Sequence, residues 1–291
     1  MQLLREALME ADQDRVAIGH FNISDLAALK VIAEAGRQLR VPVVIGLSEG
    51  ERRFVGTREA AALVKSIRDE YSQRIYLNAD HTHSLQSALE AARAGFDSVV
   101  FDRSELPFEQ NIRETKEAVK ALKEISPNIV VEGEIGDIGT GSKIHANALE
   151  KLVLTTIDEA TEFVQLTKVD VLSPAVGNMH GLAKSMLAGE SEKRLHIDLI
   201  RDIKQATGTF LTLHGASGTN KGDLEKAIEA GINIVHVNTD IRVAWRKGIE
   251  AALTANPDEV VPYVLLSSAV DAIRDLALAR LQIFSSHRSP A

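Results

Sequence analysis

Residues 75–102 read IYLNADHTHSLQSALEAARAGFDSVVFD. Two short apolar runs, Ile75–Ala79 and Ser98–Phe101, bracket Leu85–Ala94, an alanine- and leucine-rich stretch whose apolar residues fall three or four apart, as a helix packed on one face requires. Gly95 follows that stretch, where a residue of free φ suits a helix C-terminus. The reading is strand, helix, strand, the unit from which parallel sheets wrapped by helices are built.

The same unit recurs in both directions. Further strands are expected at Val16–His20, Val41–Leu47, Ile129–Glu134, Val169–Ser173, Phe210–Leu213 and Ile232–Val237, which makes eight in all. Between them lie helical patterns at Leu26–Leu39, Thr57–Asp69, Asn111–Ile125, Ile157–Gln165, Ile197–Thr207 and Asp223–Ala230. Ser24, Thr57 and Thr156 stand at helix starts, and Gly231 follows a helix end. Residues 1–291 contain no Pro/Gly/Ser-rich linker, and barrels of about 250 residues fold as one domain. The expectation is a single-domain (β/α)8 barrel, with a doubly wound open sheet as the alternative. Spare length falls in a loop after strand five, a helical excursion near Met186–Arg194 and a C-terminal helical extension, Pro262–Phe284.

Composition narrows the function. At 45% hydrophobic and 25% charged residues over 291 positions, the chain has the make-up of a globular protein, not of a disordered one. Lys and Arg number 33 against 41 Asp and Glu, a net charge of −8 with no basic stripe, so nucleic acid is not an expected partner. Zero cysteines remove disulfides, thiolate zinc sites and cysteine nucleophiles. Met1–Arg15 is charged and helical, and no apolar run approaches the roughly 18 residues of a membrane span, so a cytoplasmic protein without membrane partners is expected.

A barrel places its chemistry at the C-terminal ends of its strands, and here those ends are polar. They offer His20 and Asn22; Ser48 and Glu49; Asp80, His81 and His83; Asp102 and Arg103; Glu132 and Glu134; Asn178 and His180; His214 and Ser217; and Asn238, Thr239 and Asp240. His81, His180 and His214 come from three different strand ends and could converge on one ion with an open position, as catalytic zinc requires; each alone also reads as a neutral supporting histidine. His83 reads as a helix-start histidine, and His196 and His287 as solvated. Asp80 is placed either for acid/base work or as the N-cap of a helix beginning near Ser84. His214-Gly215-Ala216-Ser217-Gly218 reads as a phosphate-binding turn or an ordinary βα turn, and Asn238-Thr239-Asp240 at the next strand end favours phosphate. Glu109–Lys123 reads as a solvated helix face with paired charges, and Trp245 as packing.

These segments, in order, resemble the class II, metal-dependent ketose-bisphosphate aldolases, the group of fructose- and tagatose-bisphosphate aldolase. The resemblance rests on Ala79-Asp80-His81, Ala94–Asp102, Leu106–Asn111, Val131–Gly136, Val176–Gly181 and His214–Gly218. It implies zinc, or another divalent metal, held by His81, His180 and His214 with Glu134 able to join, and Asp80 as the acid/base for the aldehyde oxygen. It further implies that Gly181, Gly215, Ser217, Asn238 and Thr239 hold the phosphate of the dihydroxyacetone-phosphate half beside a monovalent cation, Na+ or K+. Asn22 and Ser48 match positions that help bind the other half, and Asp102, Arg103, His236 and Asp240 complete the residues expected near substrate. The implied reaction is reversible cleavage of a phosphorylated ketose, by default fructose or tagatose 1,6-bisphosphate, to dihydroxyacetone phosphate and an aldehyde through a zinc-stabilised enediolate. Relatives are homodimers or homotetramers, and the partner is a small sugar phosphate.

Three places depart from the family pattern. The loop after strand five, Gly139-Thr140-Gly141-Ser142-Lys143-Ile144-His145, lacks the expected carboxylate; His145 is either its proton-transfer substitute or a solvated loop histidine. Arg103 replaces a small residue and would bind a substrate anion or pair with Glu105. Ile234 and His236 stand where the family commonly has Lys and Asn. A zinc aldolase for a different ketose phosphate or a sugar acid, and a non-catalytic sugar-phosphate-binding barrel, are therefore the alternatives.

Overall fold

The computed structural model describes residues 2–136, 138, 144–145, 153–183 and 193–286, the pairs 144–145 and 182–183 as backbone alone. Its strands are β1 (Ile18–Asn22), β2 (Val43–Leu47), β3 (Ile75–Thr82), β4 (Ser98–Phe101), β5 (Val130–Ile135), β6 (Ile144–His145), β7 (Val171–Pro174), β8 (Leu182–Ala183), β9 (Phe210–Leu213) and β10 (Ile232–Val237). Eight of them close into a parallel barrel in the order β1-β10-β9-β7-β5-β4-β3-β2, while β6 and β8 pair with each other outside it. Because β1 is hydrogen-bonded to both β2 and β10, the sheet has no free edge, and the open doubly wound alternative is set aside. The chain is a (β/α)8 barrel, and among the described residues no helix is long and apolar enough to cross a membrane.

Several boundaries move, each for a local reason. β1 begins at Ile18 and not at Val16, because the Val16 amide closes the preceding helix on the Ala11 carbonyl and the Ala17 amide donates to the Phe284 carbonyl. Asp25, not Ser24, caps Leu26–Leu39, its carboxylate accepting from the Ala28 amide at 2.7 Å. Thr57 is the first helical residue after Gly56 and not a cap. A helix at Glu49–Val55 is absent from the sequence reading, although Ser48 and Glu51 form a reciprocal capping box at its start. Trp245 is not buried packing: it is 37% exposed and its indole N–H donates to Asp25. The excursion expected near Met186–Arg194 lies largely outside the described residues; Lys193 within it forms an isolated bridge to Thr219 and is not helical. The C-terminal extension appears as helices Pro262–Leu265 and Ser267–Phe284.

Alternation along the strands divides the barrel interior into two zones. At the bottom, Ile18, Val44, Tyr76, Val130, Val171 and Ile234 pack together with Leu4, Ala7, Leu8 and Ala11 of the first helix, Leu4–Asp14, which plugs that end. Two residues further along the same strands stand His20, Gly46, Asn78, Glu132, Ser173 and His236. Gly46 is required there, since a Cβ would lie 2.0 Å from the His20 ring. The interior is thus dry below and polar above, and the helices pack their apolar stripes on the outside of the same strands.

Leu8 is fully buried in the plug. Leu8→Ala is expected to lower unfolding free energy by about 2–5 kcal/mol, the range for a truncated core leucine. Denaturant titration checks it, and a loss below about 1 kcal/mol, small for such a truncation, would mean that the helix is not part of the barrel core.

Candidate active site

Asp80 and His81 are neighbours in β3, so in regular strand geometry only one could face the axis. His81 has φ +38°, and the pairing of β3 with β4 slips between Ala79 and Thr82. This irregularity turns both side chains to the barrel mouth, where both line the same cleft. The N-cap reading of Asp80 is set aside, because Ser84 caps Leu85–Ala94 by accepting from the Ser87 amide.

His81, His180, His214 and Glu134 offer ligand atoms that all lie within 4.8 Å of one another. His81 Nε2 faces His214 Nδ1 at 3.1 Å, and Glu134 Oε2 is 3.8 Å from the same Nδ1. Two nitrogens bound at about 2.0–2.1 Å to one tetrahedral ion stand about 3.3–3.4 Å apart, so this spacing suits a shared cation. The outer nitrogens are held: His81 Nδ1 donates to Asp102 at 2.8 Å and His214 Nε2 to Glu132 at 2.6 Å. Such carboxylate–imidazole pairs fix the tautomer and aim the free lone pair inward. Glu134 Oε2 is buried with no hydrogen-bond partner among the described residues, a ligand atom without a present task.

The charges tell the same story. Asp80, Asp102, Glu132 and Glu134 are all buried around the cluster. Burial pushes Glu134 up to about 7, with Asp102 adding to the rise and His214 and His81 opposing it. Burial disfavours an imidazolium at His81, yet Asp80, Asp102 and Glu134 together drive it up to about 10. His180 falls well below its ordinary value through burial and repulsion from His81 and His214. A divalent cation would balance the carboxylates without protonating the imidazoles.

Asp80 is placed differently. Its Oδ2 accepts from the Asn22 amide at 2.9 Å, while Oδ1 stands 3.4 Å from His236 Nδ1. Burial would raise its pKa, but His81, then His236 and His20, outweigh that and hold it well below the usual carboxylate range. His236 stacks between His20, at 3.5 Å, and His214, at 3.9 Å, and lines the cleft.

Gly181, Gly215, Ser217, Asn238 and Thr239 line the same cleft. Gly215 has φ +61°, and a Cβ there would come 2.2 Å from the Met179 carbonyl oxygen. Asn22 lines the cleft with Oδ1 unpartnered among the described residues.

Other expected residues sit elsewhere. Ser48 caps the helix Glu49–Val55. Asp102 stands behind His81 and accepts from Ser104. Arg103 pairs with Glu114, not Glu105, at 2.6 Å and donates to the His83 carbonyl. Asp240 pairs with Arg280 at 2.8 Å, and its amide donates to Ser217 Oγ. The loop after β5 lies outside the described residues apart from Gly136, Ile138 and the backbone of Ile144–His145, so the His145 side chain does too. The sequence reading passed over the supporting pair Glu51 and Arg52. Glu51 accepts from the Asn22 amide and from Arg242, and Arg52 spans the Leu47 and Asp80 carbonyls and the Thr82 hydroxyl. Their signal was the same Ser48-x-x-Glu51 capping box.

A (β/α)8 barrel with three imidazoles and a carboxylate gathered at its C-terminal mouth is the build of an enzyme of metal-assisted carbonyl chemistry. The chain belongs to the family described as fructose-bisphosphate aldolase class-II, whose model matches residues 2–289. It is 32% identical to the probable fructose-bisphosphate aldolase of Bacillus subtilis (strain 168), over 97% of each chain. It is 30% identical to the fructose-bisphosphate aldolase of Staphylococcus aureus (strain Mu50), over 97% of this chain and 96% of that one. The crystal structure of the YdjI aldolase from Escherichia coli K12 superposes with a TM-score of 0.82 at 27% identity, over 98% of this chain and 97% of that one. The chain is accordingly a class II aldolase, a carbon–carbon lyase.

Removing either carboxylate behind the cluster, by Asp102→Ala or Glu132→Ala, is expected to weaken affinity for a divalent metal by about 10–100-fold, the usual effect of losing such a partner. Chelator competition at fixed pH measures it. In the unaltered protein the same affinity is expected to fall as pH drops, because the imidazoles must give up protons to bind a metal.

Proposed function

We propose that the chain is a zinc-dependent aldolase that cleaves a phosphorylated ketose, by default fructose or tagatose 1,6-bisphosphate, into dihydroxyacetone phosphate and an aldehyde. The observation that carries this reading is the set His81, His180, His214 and Glu134, whose ligand atoms lie within 4.8 Å of one another while Asp102 and Glu132 hold the two outer nitrogens. Three nitrogens and one oxygen suit zinc among the common divalent ions and leave room for substrate oxygens if Glu134 swings aside. Bound there, the cation supplies Lewis-acid polarisation of the ketone and stabilises negative charge on the fragment left by bond cleavage.

The chain's own residues do the rest. Asp80, ionised and anchored through Oδ2 by Asn22, takes the proton from the hydroxyl that becomes the aldehyde oxygen. As that oxygen forms its carbonyl double bond, the carbon–carbon bond breaks and its electron pair stays with the ketone half. That half then takes up one proton, and the sequence offers His145 for the task. Gly181, Gly215, Ser217, Asn238 and Thr239 receive the phosphate, so binding energy from a group remote from the breaking bond positions the reacting carbons.

A different ketose phosphate is the second reading, and His236 favours it: an imidazole fills a cleft position beside Asp80 where the family pattern has an amide. The sugar-acid version loses its proposed anion contact, since Arg103 is engaged by Glu114.

Asp80→Asn is expected to keep its zinc while losing turnover by about 10²–10⁴-fold, the range for a missing general acid/base. A coupled assay over ketose mono- and bisphosphates, with metal content measured in parallel, tests this. Inactivity on every bisphosphate would discard the default substrate, and activity that survives complete removal of metal would discard the zinc mechanism.

A further inference from the structure

Lys193 is only 3% exposed, and among the described residues no carboxylate bonds its ammonium. Instead Nζ donates to three main-chain carbonyls: Met179 at 2.7 Å, Gly181 at 2.8 Å and Gly215 at 2.8 Å. An ammonium has three protons and meets three acceptors, whereas a neutral amine would turn a lone pair on one of them. Burial pushes Lys193 down to about 7, against the pull of Asp240.

The three oxygens come from two separate loops. Met179 and Gly181 flank His180, and Gly215 follows His214. The backbones approach so closely that Gly215 admits no Cβ beside the Met179 oxygen. Carbonyl oxygens that converge on one point repel each other unless a cation lies among them, which is how proteins coordinate monovalent ions. Each carbonyl turned to the ammonium also turns the N–H of the same peptide unit the opposite way, which fixes the Leu182 and Ala216 amides. Gly181 and Gly215 both line the cleft on the side assigned to phosphate.

We propose that Lys193 is a built-in monovalent cation: its ammonium fills a three-carbonyl site behind the cleft and positions the backbone that receives the substrate phosphate, so no free Na+ or K+ is needed there. The phosphate half of this inference rests on the function proposed above; the cation half rests on the carbonyl geometry alone. The step is one of positioning, since Lys193 acts through the peptide groups of Gly181 and Gly215.

The test compares the zinc-loaded full chain with Lys193→Ala and Lys193→Met in choline chloride, KCl and NH4Cl at equal ionic strength. Two quantities are read: the melting temperature, and the affinity for dihydroxyacetone phosphate by calorimetry. The unaltered protein is expected to give the same values in all three salts. Lys193→Ala should bind dihydroxyacetone phosphate about tenfold more weakly in choline chloride, the size of a lost charged hydrogen-bond set, with affinity and melting temperature restored saturably by K+ or NH4+. Lys193→Met, whose side chain keeps the space filled, should show the same loss without rescue. If Lys193→Ala does not fold, Lys193→Met carries the test, and unaltered affinity in it would overturn the proposal. Saturable dependence of the unaltered protein on K+, or lack of rescue in a folded Lys193→Ala, would overturn it as well. Salt-specific rescue of melting alone, with no dihydroxyacetone phosphate bound by any of the proteins, would uphold the built-in cation and overturn the phosphate assignment.

Discussion

The hydrogen bond from His214 Nε2 to Glu132, 2.6 Å long and wholly buried, is the contact on which the mouth of this barrel depends. It commits the proton of that imidazole to the outer nitrogen and leaves the Nδ1 lone pair facing His81 and Glu134. Asp102 does the same for His81 from the neighbouring strand. With their rings held this way, the imidazoles cannot relieve the crowding of the buried carboxylates by rotating, and the arrangement is in balance when positive charge enters among them.

That balance is possible because the barrel separates its two ends. The first helix seals the lower interior with leucine and alanine, so water is kept from the apolar layer formed by Ile18, Val44, Tyr76, Val130, Val171 and Ile234. One pleat higher the same strands present His20, Asn78, Glu132 and His236, joined by direct contacts: Asn78 bonds both His20 and Ser98, and His20 stacks on His236. A polar network in such a place is stable only if its members satisfy one another, and here His20 Nδ1, Ser173 Oγ and His236 Nε2 have no partner among the described residues. Of the residues with such atoms, Asn22, Asp80, His236 and Asn238 line the cleft, where a metal and substrate would meet them.

Charge on the side proposed for phosphate is handled through backbone. Gly215 permits close approach of two loops, and Lys193 reaches into the point where the Gly181 and Gly215 carbonyls meet. Anion recognition by peptide groups needs those groups held in one direction, which is the role proposed for the buried ammonium bonded to three carbonyls, with no carboxylate in contact among the described residues.

Much of this was legible in the linear text. Leu26–Leu39, Leu85–Ala94 and Ile197–Thr207 have the helical bounds that periodicity alone assigns, and Ser98–Phe101, Phe210–Leu213 and Ile232–Val237 the strand bounds, because each is framed by a local punctuating residue. The order of polar residues after the strands identified the family and His81, His180 and His214. What was not legible is who touches whom. Arg103 pairs with Glu114 across one turn of chain and helix, and not with near neighbour Glu105, because the helix Phe108–Ile125 folds back over the strand end. Asp102, read as facing substrate, stands behind His81 because the slip between Ala79 and Thr82 swings that imidazole across it. By itself the sequence determined the alternation of strands and helices, and hence the barrel, since hydrophobic period and caps are local properties. The tertiary structure alone decided which carboxylates aim the imidazoles and that Lys193 meets three carbonyls, since those partners lie 21, 82 and up to 22 residues apart and only barrel closure brings them together.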